Sequence, residues 1–299
     1  MRLVCAALFL LLTTALGQEP VPPPSKPSSP ATLSEDQIRD LIRQSADNDL
    51  ENDKKQRNYT YVEREEERRL DGKGQVKSTE VRTYDVMEIY GEQVEKLTAK
   101  DDKPLSDKDA KKEDEKIQKL IDKRKNESED DRQKRLEKEE KEREDERKFV
   151  KEIADAYNFK FMGIESIDGR DNYVIDCDPK PDYQPHMKEA KFLTKACGRV
   201  WIDKDDRQMK KLDVLFIDTV SYGLFLARIH KGSRVVVETV RINDEVWLQK
   251  HVAVKIDVRV ALLKNFNVEV DVADSNYKKF GSSTKITTLG EPTPKQCLK

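Results

Sequence analysis

His251-Val-Ala-Val-Lys-Ile-Asp-Val-Arg-Val260 is followed, after a short link, by Phe266-Asn-Val-Glu-Val-Asp-Val272. In the first segment Val252, Val254, Ile256, Val258 and Val260 alternate with polar or small residues, and in the second Phe266, Val268, Val270 and Val272 do the same. A period of two puts the apolar side chains on one face of a strand and the polar ones on the other. One buried and one wet face is the pattern of an antiparallel sheet. From Gly198-Arg-Val-Trp-Ile-Asp203 to Phe280 the chain reads as strand after strand.

The same reading extends toward the N-terminus. Residues 58–70 form a strand, Asp71-Gly-Lys-Gly74 a tight turn, Val76 to Ile89 the returning strand, and Val94 to Ala99 a third after Gly91. Glu63, Glu65, Glu67, Arg64, Arg68 and Arg69 are expected on a water-facing edge, where charge blocks unwanted pairing. Phe159, Phe161 and Ile164 open a further strand, Asp168-Gly-Arg-Asp171 turns it, and Tyr173 to Cys177 returns. A proline-rich loop over 178–184 and a short helix over 188–196 precede the Trp201 strand. Ser34, with Gln37 three residues on, forms a capping box that starts a helix. Its stripe of Ile38, Leu41, Ile42 and Ala46 is expected to pack on the sheet.

Residues 106–152 differ in character, with both charge signs densely mixed. Acid-to-base pairs four residues apart, such as Glu115 with Lys119 and Asp131 with Arg135, favour a solvated helix. Ala110, Ile117, Leu120 and Ile121 form a narrow apolar stripe, but no apolar residue lies between Lys123 and Arg135. The segment is therefore either one rod or a hairpin broken at Asn126-Glu-Ser-Glu129. A coiled coil is the alternative, although the seam lapses midway.

The chain has 299 residues, 39% charged and 36% hydrophobic, with a net charge of -2. Such balance supplies no basic field for nucleic acid or anionic lipid. Residues 1–17 read as a secretory signal: Arg2, a short apolar run, then Ala15-Leu16-Gly17 as the cleavage site. An uncleaved anchor is the alternative. No later run is long and apolar enough to span a bilayer. Residues 18–33 form a Pro-rich linker, extended and solvated, or else a ligand for a proline-binding groove. The expected division is thus signal 1–17, linker 18–33, one domain 34–280 carrying the charged insertion 106–152, and a tail 281–299.

Motifs for catalysis are missing. His186, His230 and His251 stand far apart, and no metal-protease helix, phosphate loop, serine elbow or dinucleotide turn occurs. Asp176, Asp178 and Asp182 lack the spacing of a calcium loop. No enzyme activity, metal or cofactor is expected. Removing Cys5 with the signal leaves three cysteines. Cys177 and Cys197 flank the proline loop at neighbouring strand ends and are the disulfide candidates, with Cys297 left over. Three reduced thiols are the alternative.

With these elements in place, Gly198-Arg-Val-Trp-Ile-Asp-Lys204 resembles the Gly-x-hydrophobic-Trp-hydrophobic-Asp strand of the outer-membrane lipoprotein-sorting (LolA/LolB-like) family. Asp71-Gly-Lys-Gly74, the Gly223-Leu-Phe-Leu-Ala-Arg228 segment and the charged insertion resemble a bacterial branch of that family, and the likeness spans Ser34 to Phe280. It implies an α+β fold: a strongly curved antiparallel sheet, a half-open barrel, with helices closing a concave apolar side that binds acyl chains. The expectation is an exported, periplasmic, non-enzymatic carrier of a lipid or lipoprotein acyl chain. The alternative is a cell-envelope interaction module that meets a protein partner through the charged helix. Leu224, Phe225, Leu226 and Ile229 are the candidate ligand contacts, either as an exposed lid or as a connection buried in the core.

Overall fold

A computed structural model describes residues 33–222, 227–260 and 264–280. The expected signal, most of the linker, the tail, Cys5 and Cys297 lie outside the described residues.

The chain begins with α1 (Glu35–Gln56), whose Ser34 cap accepts from the Gln37 N–H while the Gln37 side chain accepts from Ser34 N–H, the full capping box. Three antiparallel strands follow, β1 (Tyr59–Leu70), β2 (Val76–Ile89) and β3 (Glu92–Lys100), then the two-residue β4 (Lys103–Pro104). The charged segment is a hairpin of two helices, α2 (Asp107–Lys125) and α3 (Glu129–Ala156). Ser106 and Ser128 cap them, and Asn126 ends the first. The break follows from the chemistry of Asn126 and Ser128, which bond to nearby backbone more readily than they extend a helix.

Then come β5 (Tyr157–Ile167), β6 (Arg170–Pro179), a 3-10 helix (Glu189–Lys195), β7 (Ala196–Asp203), β8 (Met209–Phe216) and β9 (Val220–Tyr222). The described residues end with β10 (Ala227–Ile229), β11 (Arg234–Ile242), β12 (Val246–Val260) and β13 (Lys264–Lys279). One antiparallel sheet joins them in the order β4-β3-β2-β1-β13-β12-β11-β8-β7-β6-β5, with β9 and β10 at its side. The sheet does not close on itself, so the fold is an α+β half-open barrel. Its long central pairing is β12 with β13, where Val252 faces Val272, Val254 faces Val270 and Ile256 faces Val268. These are the alternating valines of the sequence, brought together on one apolar face.

We call that face, covered by the helices, the inner face. Ile38 and Leu41 of α1 and Phe149 of α3 are buried there against Tyr157, Ile175 and Ile202. A second cluster centres on β8, β11 and β12, around Val235, Val237, Val252 and Ile256, and a third joins Tyr59 to Val246 and Leu248.

Two expectations are corrected. The first concerns β1, which is not an edge strand: it sits between β2 and β13. Side chains alternate between the two faces of the sheet, and one of those faces is buried, so its charges cannot all face water. Alternation sends Glu63, Glu65 and Glu67 to one face and Arg64 and Arg68 to the other, and Glu67 is only 1% exposed. The second concerns helix charge pairs. Arg135 reaches back across the hairpin bend to Glu127 at 2.9 Å, and Asp131 accepts from its Ser128 cap at 2.8 Å.

Candidate apolar cavity beneath the first helix

The inner face holds a cavity of about 180 Å3 between α1, the end of α3 and the sheet. Ile42 and Ala46 line it from α1, Phe149 and Ile153 from α3, and Val200, Leu212 and Val237 from β7, β8 and β11. The helical spacing of Ile38, Leu41, Ile42 and Ala46 splits their roles. Ile38 and Leu41 are buried in the core, whereas Ile42 and Ala46 form the roof of the cavity.

Polar contacts hold the roof in place. Asn52, buried on α1, donates to the Trp247 carbonyl at 2.7 Å and accepts from the Trp247 N–H at 2.8 Å. Gln56 donates to the same carbonyl at 2.8 Å. Asn48 donates to the Asp206 carbonyl at 3.0 Å. At the other end Arg39 donates to the Ala154 carbonyl of α3 and lies over the Phe159 ring, 5.4 Å from its centre. An amide that satisfies both backbone groups of one strand residue acts as an extra ladder rung between helix and sheet.

Trp247 is also fixed from below. Its indole N–H donates to Asp206 at 2.9 Å, and the Arg170 guanidinium lies 5.7 Å from its ring centre. Arg170 binds Asp203 through two bonds of 2.6 and 2.7 Å. Asp203 is fully buried. Burial opposes its charge, but Arg170 and the N–H groups of Asp206 and Asp205 outweigh that and hold its carboxyl below the usual range. The Asp of the Gly198-to-Lys204 motif thus anchors, through Arg170, the Trp247 wall of the cavity. Asn52, Trp247 and Gln249, which shape the site, carry no spacing signal in the sequence.

Leu224, Phe225 and Leu226 lie outside the described residues. Ile229 is 4% exposed and packs in the β8–β11–β12 core beside Val220. It does not line the cavity. Cys177 and Cys197 are free thiols. Cys177 pairs with Gly198 across β6 and β7, so Cys197 is one residue out of step and directed to the opposite face. The expected bridge is not formed for that reason. Burial pushes the Cys177 thiol up to about 12. Asp176 pairs with Arg199 at 2.5 Å. Among the described residues no group of His, Cys, Asp and Glu has the arrangement of a metal site, and no helix is long and apolar enough to cross a membrane.

No family model matches the chain, and no curated protein matches it. Among solved structures it is similar to an outer membrane lipoprotein-sorting protein domain from Vibrio parahaemolyticus. That match has 9% identity, covers 82% of this chain and 95% of that one, and has a TM-score of 0.33. It is similar also to a LolA superfamily protein from Nitrosomonas europaea, at 8% identity over 81% of this chain and 93% of that one, with a TM-score of 0.31. The MucA/MucB complex of Pseudomonas aeruginosa matches at 9% identity, 82% and 99% coverage and a TM-score of 0.23.

Proposed function

We propose that this protein is an exported, non-enzymatic carrier that holds the acyl chain of a lipid or lipoprotein between α1 and the inner face of the sheet. The observation that carries this reading is the cavity of about 180 Å3 under α1, with a mainly apolar lining that also takes in Asn52, Gln56 and Gln249. An apolar void of roughly 150 Å3 in a protein interior stays dry and takes up a benzene-sized guest. Each buried CH2 of a guest contributes about 0.8 kcal/mol. The void accepts a short stretch of chain as it stands, and α1 must lift from Trp247 to admit more. Delipidated protein is expected to bind a fluorescent fatty acid with saturation, and protein purified after mild extraction to carry lipid in native mass spectrometry. Absence of both overturns the reading.

A second reading has its own observation. The α2 helix has no buried residue, and meets the sheet through ion pairs such as Lys96 with Asp114. Apart from the half-buried stripe of Ala110, Ile117, Leu120 and Ile121, its surface is charged, and a charged helix face is solvated or bridges to a partner. The hairpin of α2 and α3 is then a surface for an envelope protein. Deleting residues 108–147 spares Phe149 and Val150, which are buried in the core. Chain binding that survives the deletion, with partner capture lost, assigns the hairpin to the partner and the cavity to the chain.

A further inference from the structure

The cavity ends at Gln249, and beyond it the inner face changes character. Gln249 lines the cavity and donates to Asp274 Oδ2 at 3.0 Å. Asp274 lies on β13 two residues past Val272, on the inner face, and is 7% exposed. Its other oxygen, Oδ1, is buried with no hydrogen-bond partner. Such an oxygen costs its full desolvation unless something meets it.

More carboxylates share this corner. Glu63 faces Tyr84 across β1 and β2, and Glu65 faces Arg82. Glu95 on β3 faces Val86 on β2, which in turn faces Tyr61. The Tyr61 ring packs 5.9 Å from that of Tyr277, whose hydroxyl donates to the Asp274 carbonyl at 3.0 Å. The nearby cations already have carboxylate partners, and Arg82 shares Glu65 with the corner. Arg82 is 2.6 Å from Glu80 and 3.8 Å from Glu65. Lys116 of α2 is 3.3 Å from Glu113, and His251 is 2.7 Å from Asp271. Among the described residues no ion pair involves Glu63 or Asp274.

We propose that Glu63, Glu95 and Asp274, framed by Tyr61, Tyr84 and Tyr277, form a headgroup site for an ammonium or guanidinium group borne on the chain in the adjoining cavity. The substrate class is an amine-bearing amphiphile, and this inference rests on the carrier reading for the chain alone. The chemistry is specific to an organic cation. Carboxylates accept charge-assisted hydrogen bonds, tyrosine faces attract cations, and the carboxylates here lack the arrangement of a metal site. Burial raises Glu63 to about 8 and Asp274 to about 7, and raises Glu95 as well, so these carboxyls hold protons near pH 7. An arriving ammonium favours the carboxylates and expels protons.

Decylamine and decanol share a chain and differ in charge at neutral pH. Titrated into the whole protein below their micellar range and followed by calorimetry, decylamine is expected to bind at least about tenfold tighter. In E63Q and D274N the preference falls toward unity while decanol affinity stays. The amine titration alone releases protons, read as heat that depends on the buffer. Equal binding of the two ligands overturns the headgroup site and leaves the carrier reading standing. Spermidine binding that E63Q abolishes, with no decanol binding, keeps the cation site and removes the carrier reading. No binding of any of the three overturns both.

Discussion

Asn52 of α1 and Trp247 of β12 satisfy one another through two hydrogen bonds of 2.7 and 2.8 Å, although 195 positions separate them. Through this pair the first helix of the domain lies across the cavity as a roof rather than resting on the sheet by apolar contact alone.

Replacing Asn52 by alanine leaves the Trp247 N–H unpaired and the carbonyl with Gln56 alone. A buried backbone group without a partner costs about 1–3 kcal/mol. N52A is expected to lower stability by that amount in chemical denaturation. Amide exchange in α1 should accelerate more than in β12 and β13. Uniform acceleration across the sheet would show that the pair supports the whole fold and not the roof.

Filling the void should remove ligand binding without unfolding the protein. Leu212 lines the cavity from β8. Leu212→Trp places an aromatic ring in the space otherwise available to a chain. Fatty-acid binding is expected to fall at least tenfold. Unfolding free energy should fall by no more than an overpacked core position lowers it, about 1–3 kcal/mol. Binding that persists in a variant with native stability argues against this cavity.

The acidic corner predicts a pH dependence of stability. Glu63, Asp274 and Glu67 all have carboxyls raised by burial, to about 8, 7 and 7. The positive charges of Arg82, Arg69, Lys116 and His251 act on these carboxyls and oppose the shifts in part. A folded-state value above the unfolded one means stability that is full below the unfolded value and lost as pH rises through the folded one. His251, raised by Asp271, contributes with the same sign. Unfolding free energy is expected to drop by about 2 kcal/mol or more from pH 5.5 to 8.5. E63Q should flatten that slope. A rise over the same window contradicts the burial of these groups.

The cysteines give a chemical test of strand register. Cys177 and Cys197 point to opposite faces, and burial raises the Cys177 thiol to about 12. In native protein Cys177 is expected to resist iodoacetamide while Cys197 reacts slowly. In denaturant without reductant both should be alkylated. Non-reducing peptide mapping that finds the two linked would require a shifted register between β6 and β7.

Much of the architecture is legible in the residues. The valines from 252 to 272 determine a strand pair with one apolar face, because side chains alternate whatever the strand packs against. The Ser34 and Gln37 box sets the start of α1, and Asn126 with Ser128 divides the charged helix, because capping is decided within one turn. The arrangement of the site is not legible in this way. Asn52 reads as a solvated helix position until Trp247 is brought beside it from another part of the chain. Glu63, Glu65 and Glu67 read as water-facing charges, since density of charge ordinarily marks an edge. Only the sheet order, with β13 paired to β1, makes β1 internal and turns these carboxylates inward. Local chemistry therefore determined which elements form. Long-range strand pairing decided which faces they enclose, because burial depends on neighbours that sequence spacing does not name.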